Sequence, residues 1–332
     1  MNDKQKIGQL MMIGIKGGSL SMDDVNLLAD YKFGNVILFD RNMTDTDQVK
    51  ALNTALRSTI KKNSGVVPFI ALDQEGGRVL RMRDHFPAVP SAASLGQQDP
   101  SQTKTWAMTT GKAMTDLGFT VDFAPVVDLG SAAERSYSND PDQVIAHAEQ
   151  AVNGYKESGV WSSLKHFPGI GKVKTDPHID GDSVSLSRND LEMSDMKPFR
   201  ELIKRMDNRD MFIMVSNVTF PALDPANPAC ISPIIVTDIL RKQYGYTGLI
   251  LTDDMEMGAM SKHYTFRQMG VLAIKAGADI VLVCQEYNHE KEAFDGLLEA
   301  YESGDLPQAL IDEKVTRIVE TKLSRAEVSC IT

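Results

Sequence analysis

Cysteine is scarce in this sequence: Cys230, Cys284 and Cys330 are the whole set, too few and too widely spaced for a disulfide framework, and no Cys-x-x-Cys pair offers a zinc or dithiol centre. A reducing compartment suits such a chain, so a cytoplasmic location is expected. Positive charge is also in deficit. With 35 Lys and Arg against 45 Asp and Glu, the net charge of -10 argues against a nucleic-acid groove or an anionic membrane surface, both of which need clustered cations. Long apolar runs are missing as well. The opening MNDKQKIGQLMMIGIKGG holds an apolar stretch too short to span a bilayer and no small-residue cleavage site, so no membrane partner is expected. HExxH is absent, and the Gly17-Gly18 pair does not supply the Gly-rich turn of a dinucleotide-binding unit. No Ser/Gly/Pro-rich linker or solenoid-type repeat divides the chain.

What the sequence does contain is an alternation. A hydrophobic share of 42% over 332 residues is enough to bury a large core. Short β-branched or aromatic runs recur at 12–15, 35–39, 68–72, 120–125, 160–165, 212–216, 249–252 and 279–283, each followed by a longer stretch of helical spacing. Eight such units predict an α/β fold of the (β/α)8 TIM-barrel type, a single domain over 1–332, in preference to an open doubly wound sheet. Val49, Leu52, Leu56 and Ile60 form one apolar stripe with Thr46 as the expected N-cap, and Ile311, Val315, Ile318 and Leu323 form another near the C-terminus.

A barrel carries its chemistry at the C-terminal ends of its strands, and three such ends stand out. In ALDQEGGRVLRMR, Asp73, Gln74 and Glu75 leave a strand into a Gly-Gly turn that carries Arg78 and Arg81; a solvated turn with surface ion pairs is the ordinary alternative. In KHFPGIGKVKTDPHID, Lys165 and His166 lead into a loop where Pro177 separates Asp176 from His178. A carboxylate next to an imidazole orients the ring and favours its charged form, which makes a proton donor and acceptor usable near neutrality. A structural histidine at the rim is the competing account, and a zinc held by His166, His178 and Asp176 is a third. In GLILTDDMEMGAM a buried-looking strand ends in Asp253 and Asp254. Because successive side chains on a strand diverge, one of the two is expected to enter the barrel mouth and the other to cap the next helix. A carboxylate in that position can act as the nucleophile of glycosyl transfer.

Taken in order, IGQLMMIGI, GNVILFDRN, ALDQEGGRVLR, FAPVVDL followed by ERSYSNDP, LKHFPGIG with DPH, MVSNVTFPALDP and LILTDDMEMGAM resemble glycoside hydrolase family 3, in its single-domain β-N-acetylglucosaminidase branch known from peptidoglycan recycling. The resemblance implies a retaining, exo-acting hydrolase that releases terminal non-reducing β-linked N-acetylglucosamine from muropeptides or chitooligosaccharides. It assigns Asp253 as nucleophile and His178 with Asp176 as the acid/base dyad. Asp73, Arg81, Arg135, Lys165 and His166 match positions that hold the sugar. The implied partner is a small carbohydrate, with no cofactor and no metal. Three departures from the family pattern stand out: Ile170 where a second histidine is usual, Pro177 for a common serine, and Asn217 where many members have histidine. The alternatives are a β-glucosidase or β-xylosidase of the same family, and a metal-dependent amidohydrolase on a TIM barrel.

Overall fold

The computed structural model describes residues 1–130, 134–172 and 183–326. Its strands, in chain order, are β1 (Met11–Ile13), β2 (Asn35–Ile37), β3 (Phe69–Leu72), β4 (Val121–Asp122), β5 (Trp161–Phe167), β6 (Met211–Val215), β7 (Thr219–Phe220), β8 (Asp224–Pro228), β9 (Ile250–Asp254) and β10 (Ile280–Val283). All but β7 and β8 close into one parallel barrel in the order β1-β10-β9-β6-β5-β4-β3-β2. β7 and β8 form an antiparallel hairpin beyond the end of β6. The fold is the (β/α)8 barrel expected from the strand count, and each expected strand segment overlaps a barrel strand.

Strands that are covered by helices outside and packed side chains inside must be apolar on both faces, which is why they read as continuous runs rather than alternating ones. Every residue of β1, β2, β3, β5 and β6 is buried. β1 ends at Ile13, short of the expected residue 15, because the Gly14 amide leaves the ladder and donates to Glu290 Oε1 at 3.2 Å. Among the described residues, no helix is long and apolar enough to cross a membrane.

Two helix details differ from the sequence expectation. Val49, Leu52, Leu56 and Ile60 are buried as expected, but the N-cap of the Thr46–Ser64 helix is Asp45, whose carboxylate accepts the Gln48 amide at 2.9 Å. Asp45 has the extended backbone that a cap requires, and Thr46 is already helical. Asp45→Ala should therefore lower stability while Thr46→Ala leaves it nearly unchanged, as read from the midpoints of urea unfolding. In the Gln308–Ala326 helix, Ile311, Val315 and Ile318 face the core, whereas Leu323 is 51% exposed and Lys322 is buried. The face that holds Ile318 returns four residues later, not five, and so it is the lysine that points inward.

Candidate active site

Polar side chains gather where five neighbouring barrel strands end, in the order β3, β4, β5, β6, β9. Asp73 directly follows β3, Lys165 and His166 lie in the last three residues of β5, Asn217 follows β6, and Asp253 and Asp254 close β9. Parallel pairing sets these ends side by side although the residues are up to 181 positions apart in sequence, as Asp73 and Asp254 are.

Lys165 is the hub. Its buried ammonium donates to Asp73 Oδ1 at 2.8 Å and contacts Glu75 Oε1 at 2.6 Å. Arg135 grips the same Glu75 with two parallel bonds of 2.8 Å, Nε to Oε2 and Nη2 to Oε1. Arg81 lies 3.5 Å from Asp73 Oδ2 and donates to Asp40 Oδ2 at 2.8 Å. Burial by itself would raise the Glu75 pKa, but the Lys165 charge and the Arg135 bonds outweigh it and bring the carboxyl down to about 2. Burial opposes the Lys165 charge too, and Asp73 and Glu75 overcome it, so its pKa is raised. Glu75 and Lys165 are thus charged at neutral pH and sealed beneath the partly open Asp73, Arg81 and Arg135.

The turn that carries Glu75 depends on its two glycines. Gly76 and Gly77 take φ of 92° and 58°, and a Cβ on Gly76 would lie 2.4 Å from the Pro90 carbonyl oxygen. Beneath the array, buried Asp122 accepts the Gln74 amide at 2.9 Å, and burial raises its pKa to about 7. An acid whose folded pKa is raised loses stability as pH climbs from its ordinary value through the folded one. Asp122→Asn should accordingly be more stable than the parent at pH 8 and equal to it at pH 4, in thermal melts at both pH values. A difference of the same size at both would show that titration of Asp122 has no part in it.

His166 is held from below. Its Nδ1 lies 2.8 Å from Asp128 Oδ2, while Asp128 Oδ1 accepts the amides of His166 at 3.1 Å and Ile170 at 2.9 Å. A carboxylate only accepts, so Nδ1 carries a proton and Nε2 is turned away from Asp128. Ile170 contributes its backbone amide here, and its side chain packs against the core. Asn217 ties the end of β6 to that of β9 by donating to the Asp254 carbonyl at 2.8 Å.

Of the two acids on β9, both half-buried, Asp253 has one hydrogen-bond partner among the described residues, the Asp254 amide at 2.8 Å. Asp254 does not cap the following helix as expected. Its Oδ1 accepts the Glu256 amide at 3.0 Å inside the turn, and the short Gly258–Ser261 helix begins after Met257 without a side-chain cap. Burial raises the Asp254 pKa to about 6. Glu256 accepts amides from Cys284 at 2.8 Å and Glu286 at 3.1 Å and meets His289 Nδ1 at 2.6 Å, which fastens the β9 and β10 loops together.

Asp176 and His178 lie outside the described residues. The other expected site residues are at the same end of the barrel: Asp73, Arg81, Arg135 and Lys165 are linked through ion pairs, His166 stands on Asp128, and Asp253 ends β9. The sequence places Glu75 in the turn after a strand end, with a solvated turn as the alternative, but marks neither Glu75 nor Asp128 as a site residue. The available signal for Glu75 was its spacing: residues 73 and 75 of an extended segment face one side, so one cation can meet both. Among the described residues, Asp254, Glu256 and Cys284 form a group whose potential metal-ligand atoms lie within 4.8 Å of one another. This is a different set from the His166, His178 and Asp176 of the amidohydrolase alternative. Its carboxylates already accept backbone amides, and burial pushes the Cys284 thiol well above its ordinary pKa, away from the thiolate that a metal requires.

A sequence model described as the Glycosyl hydrolase family 3 N terminal domain matches residues 3–321. The chain belongs to glycoside hydrolase family 3. It is 32% identical over 309 residues to a protein of Haemophilus ducreyi named Beta-hexosaminidase, covering 90% of this chain and 87% of the relative. A second Beta-hexosaminidase, from Idiomarina loihiensis, is 32% identical over 303 residues and 88% of each chain. Among solved structures, a family 3 β-N-acetylglucosaminidase from Paenibacillus sp. str. FPU-7 superposes with a TM-score of 0.94 at 35% identity, over 98% of this chain. The chain spans 63% of that longer protein. A β-N-acetylhexosaminidase from Beutenbergia cavernae matches end to end, with a TM-score of 0.89, 28% identity and coverage of 97% and 98%. Family and fold together make this family 3 member a glycoside hydrolase.

Proposed function

We propose that this family 3 member is a retaining, exo-acting β-N-acetylglucosaminidase that removes one terminal non-reducing N-acetylglucosamine from muropeptides or chitooligosaccharides. The observation that carries this reading is the ion-paired Asp73, Lys165, Glu75 and Arg135 array at the barrel end where β9 presents Asp253. Fixed carboxylates and cations are what a pocket needs to hold sugar hydroxyls and orient a ring for attack from one side. In this role Asp73, Arg81, Arg135, Lys165 and His166 hold the ring. The names of the relatives point to the same aminosugar class.

In the proposed reaction an Asp253 oxygen attacks the anomeric carbon as the bond to the leaving oxygen breaks, and protonated His178 gives that oxygen its proton. Neutral His178 then takes a proton from water, whose oxygen displaces Asp253 and restores the β configuration. Asp176 stays ionised and orients the imidazole. No metal or cofactor enters this scheme, and the partner is a small carbohydrate in the cytoplasm.

Aryl glycosides of N-acetylglucosamine, glucose and xylose with the same leaving group test the substrate. An acetamido-binding site leaves buried polar groups unpaired against a 2-hydroxyl sugar, so kcat/KM should favour N-acetylglucosaminide by roughly a hundredfold. A tenfold preference for glucoside or xyloside would remove the aminosugar assignment. His178→Ala should slow alkyl or disaccharide substrates by roughly 10² to 10⁴ and activated aryl glycosides far less. Equal losses on both would leave the acid role to another group.

A further inference from the structure

At the opposite, N-terminal end of the barrel lies a cavity of about 480 Å³, bounded by the first residues of β3 and β5, Phe69 and Trp161. Four basic side chains line it and, among the described residues, no acid does: Arg57 and Lys61 from the Thr46–Ser64 helix, and Arg325 and Lys322 from the Gln308–Ala326 helix, of which Lys322 has its pKa pushed well below the ordinary lysine value by burial. This arrangement is unexpected in a chain of net charge -10. Arg57 and Lys61 stand at i,i+4 on one helix, a like-charge pair that is repulsive unless something negative sits between them.

The hydrogen bonds leave this charge largely uncompensated. Half-buried Arg57 and exposed Lys61 have no side-chain hydrogen bond or ion pair to any described residue, and burial lowers the Arg57 pKa. Lys61 in the last helical turn complements the helix dipole, an account that does not extend to Arg57 four residues earlier. Among the described residues, buried Lys322 donates to neutral oxygens only, Gln9 Oε1 at 2.6 Å and the Gly34 carbonyl at 3.1 Å, and its Nζ lies over the Phe69 ring at 5.0 Å. Arg325 stacks on Trp161 at 4.4 Å and reaches Asp210 at 3.1 Å, but Asp210 is shared with Lys156 at 2.8 Å. Among the described residues, the buried Nη1 of Arg325 and Nε1 of Trp161 have no acceptor. Elsewhere at this end of the barrel a cluster of cations does have its anion: Asp279, just ahead of β10, lies between Arg241, Arg317 and Lys314.

We propose that this cavity is a second binding site, for a small phosphate ester, separate from the sugar site at the other end of the barrel. The phosphate meets Arg57, Lys61 and Arg325, whose donors match an oxyanion, and the organic part lies against the apolar wall of Val67, Pro68 and Phe119. The volume lies within the range of small-molecule sites.

The test uses the whole protein with phenyl phosphate and inorganic phosphate as probes, read by calorimetric titration and by tryptophan fluorescence, since Trp161 lines the cavity. Phenyl phosphate should bind saturably and more tightly than inorganic phosphate. Arg57→Gln/Lys61→Gln should weaken it about tenfold or more while leaving glycosidase activity without added phosphate unchanged. The charge-preserving pair Arg57→Lys/Lys61→Arg should retain binding. Absence of saturable binding, or equal affinity in the Gln pair, would overturn the proposal. Vesicles of phosphatidic acid in phosphatidylcholine separate the two sources of a phosphate ester. Co-sedimentation that phenyl phosphate displaces and the Gln pair loses would make the ester a lipid headgroup, and binding of the soluble probe alone a free metabolite.

Discussion

Asp253→Ala is expected to lower kcat on N-acetylglucosaminide by roughly four orders of magnitude or more, because the proposed covalent step loses its nucleophile. The fold should survive. Asp253 is half-buried at the open end of β9, and its one described hydrogen bond is to the next amide in the chain, so little packing depends on it. Far-ultraviolet circular dichroism and the thermal midpoint should match the parent. A 5-fluoro glycoside that forms a stable glycosyl-enzyme should place its label on the peptide carrying Asp253. A label on Asp254, one residue along, would reverse the assignment of the pair. The hydrogen bonding argues against that outcome: Asp254 is committed to the Glu256 amide inside the turn.

Lys165→Met should do more damage to the fold than any other substitution in the array. The variant leaves Glu75 buried with Arg135 alone, and Asp73 with only the 3.5 Å contact to Arg81. Removing one partner of a buried ion pair costs roughly 3 to 5 kcal/mol, because the carboxylate left behind remains desolvated. The pH dependence has a definite sign. In the parent, Glu75 is held at about 2, below its ordinary 4.5, so its contribution is complete above pH 4.5 and is lost as pH falls through about 2. The variant's deficit should therefore be largest at neutral pH and shrink below pH 4.5. Adding Glu75→Gln to Lys165→Met should recover part of the loss, since the stranded charge is gone. Strictly additive losses in urea unfolding would mean that Lys165 and Glu75 do not act as a pair.

The sequence by itself determined the architecture and the barrel end at which most of the candidate site residues stand. Eight apolar runs separated by helical spacing are a local property, and an eight-stranded parallel barrel is what such units close into, so the strands could be read one at a time. The rule that polar residues after each run face the mouth led directly to Asp73, Lys165, His166 and Asp253. What it did not determine is which of these groups are bonded to one another. Asp73 and Lys165 are 92 positions apart, and Glu75 and Arg135 are 60 apart, and neither pair has any local signature. Closure of the barrel brings them within 3 Å, and burial then converts a turn acid such as Glu75 into the counter-ion of two cations. The same holds at the other end. Leu323 fitted an apolar stripe on paper, yet the helical phase set by packing on the barrel floor turned Lys322 inward instead. Pattern depends on spacing along one chain segment, whereas charge pairing and helix phase depend on what the rest of the molecule places opposite, and only the tertiary structure decided those.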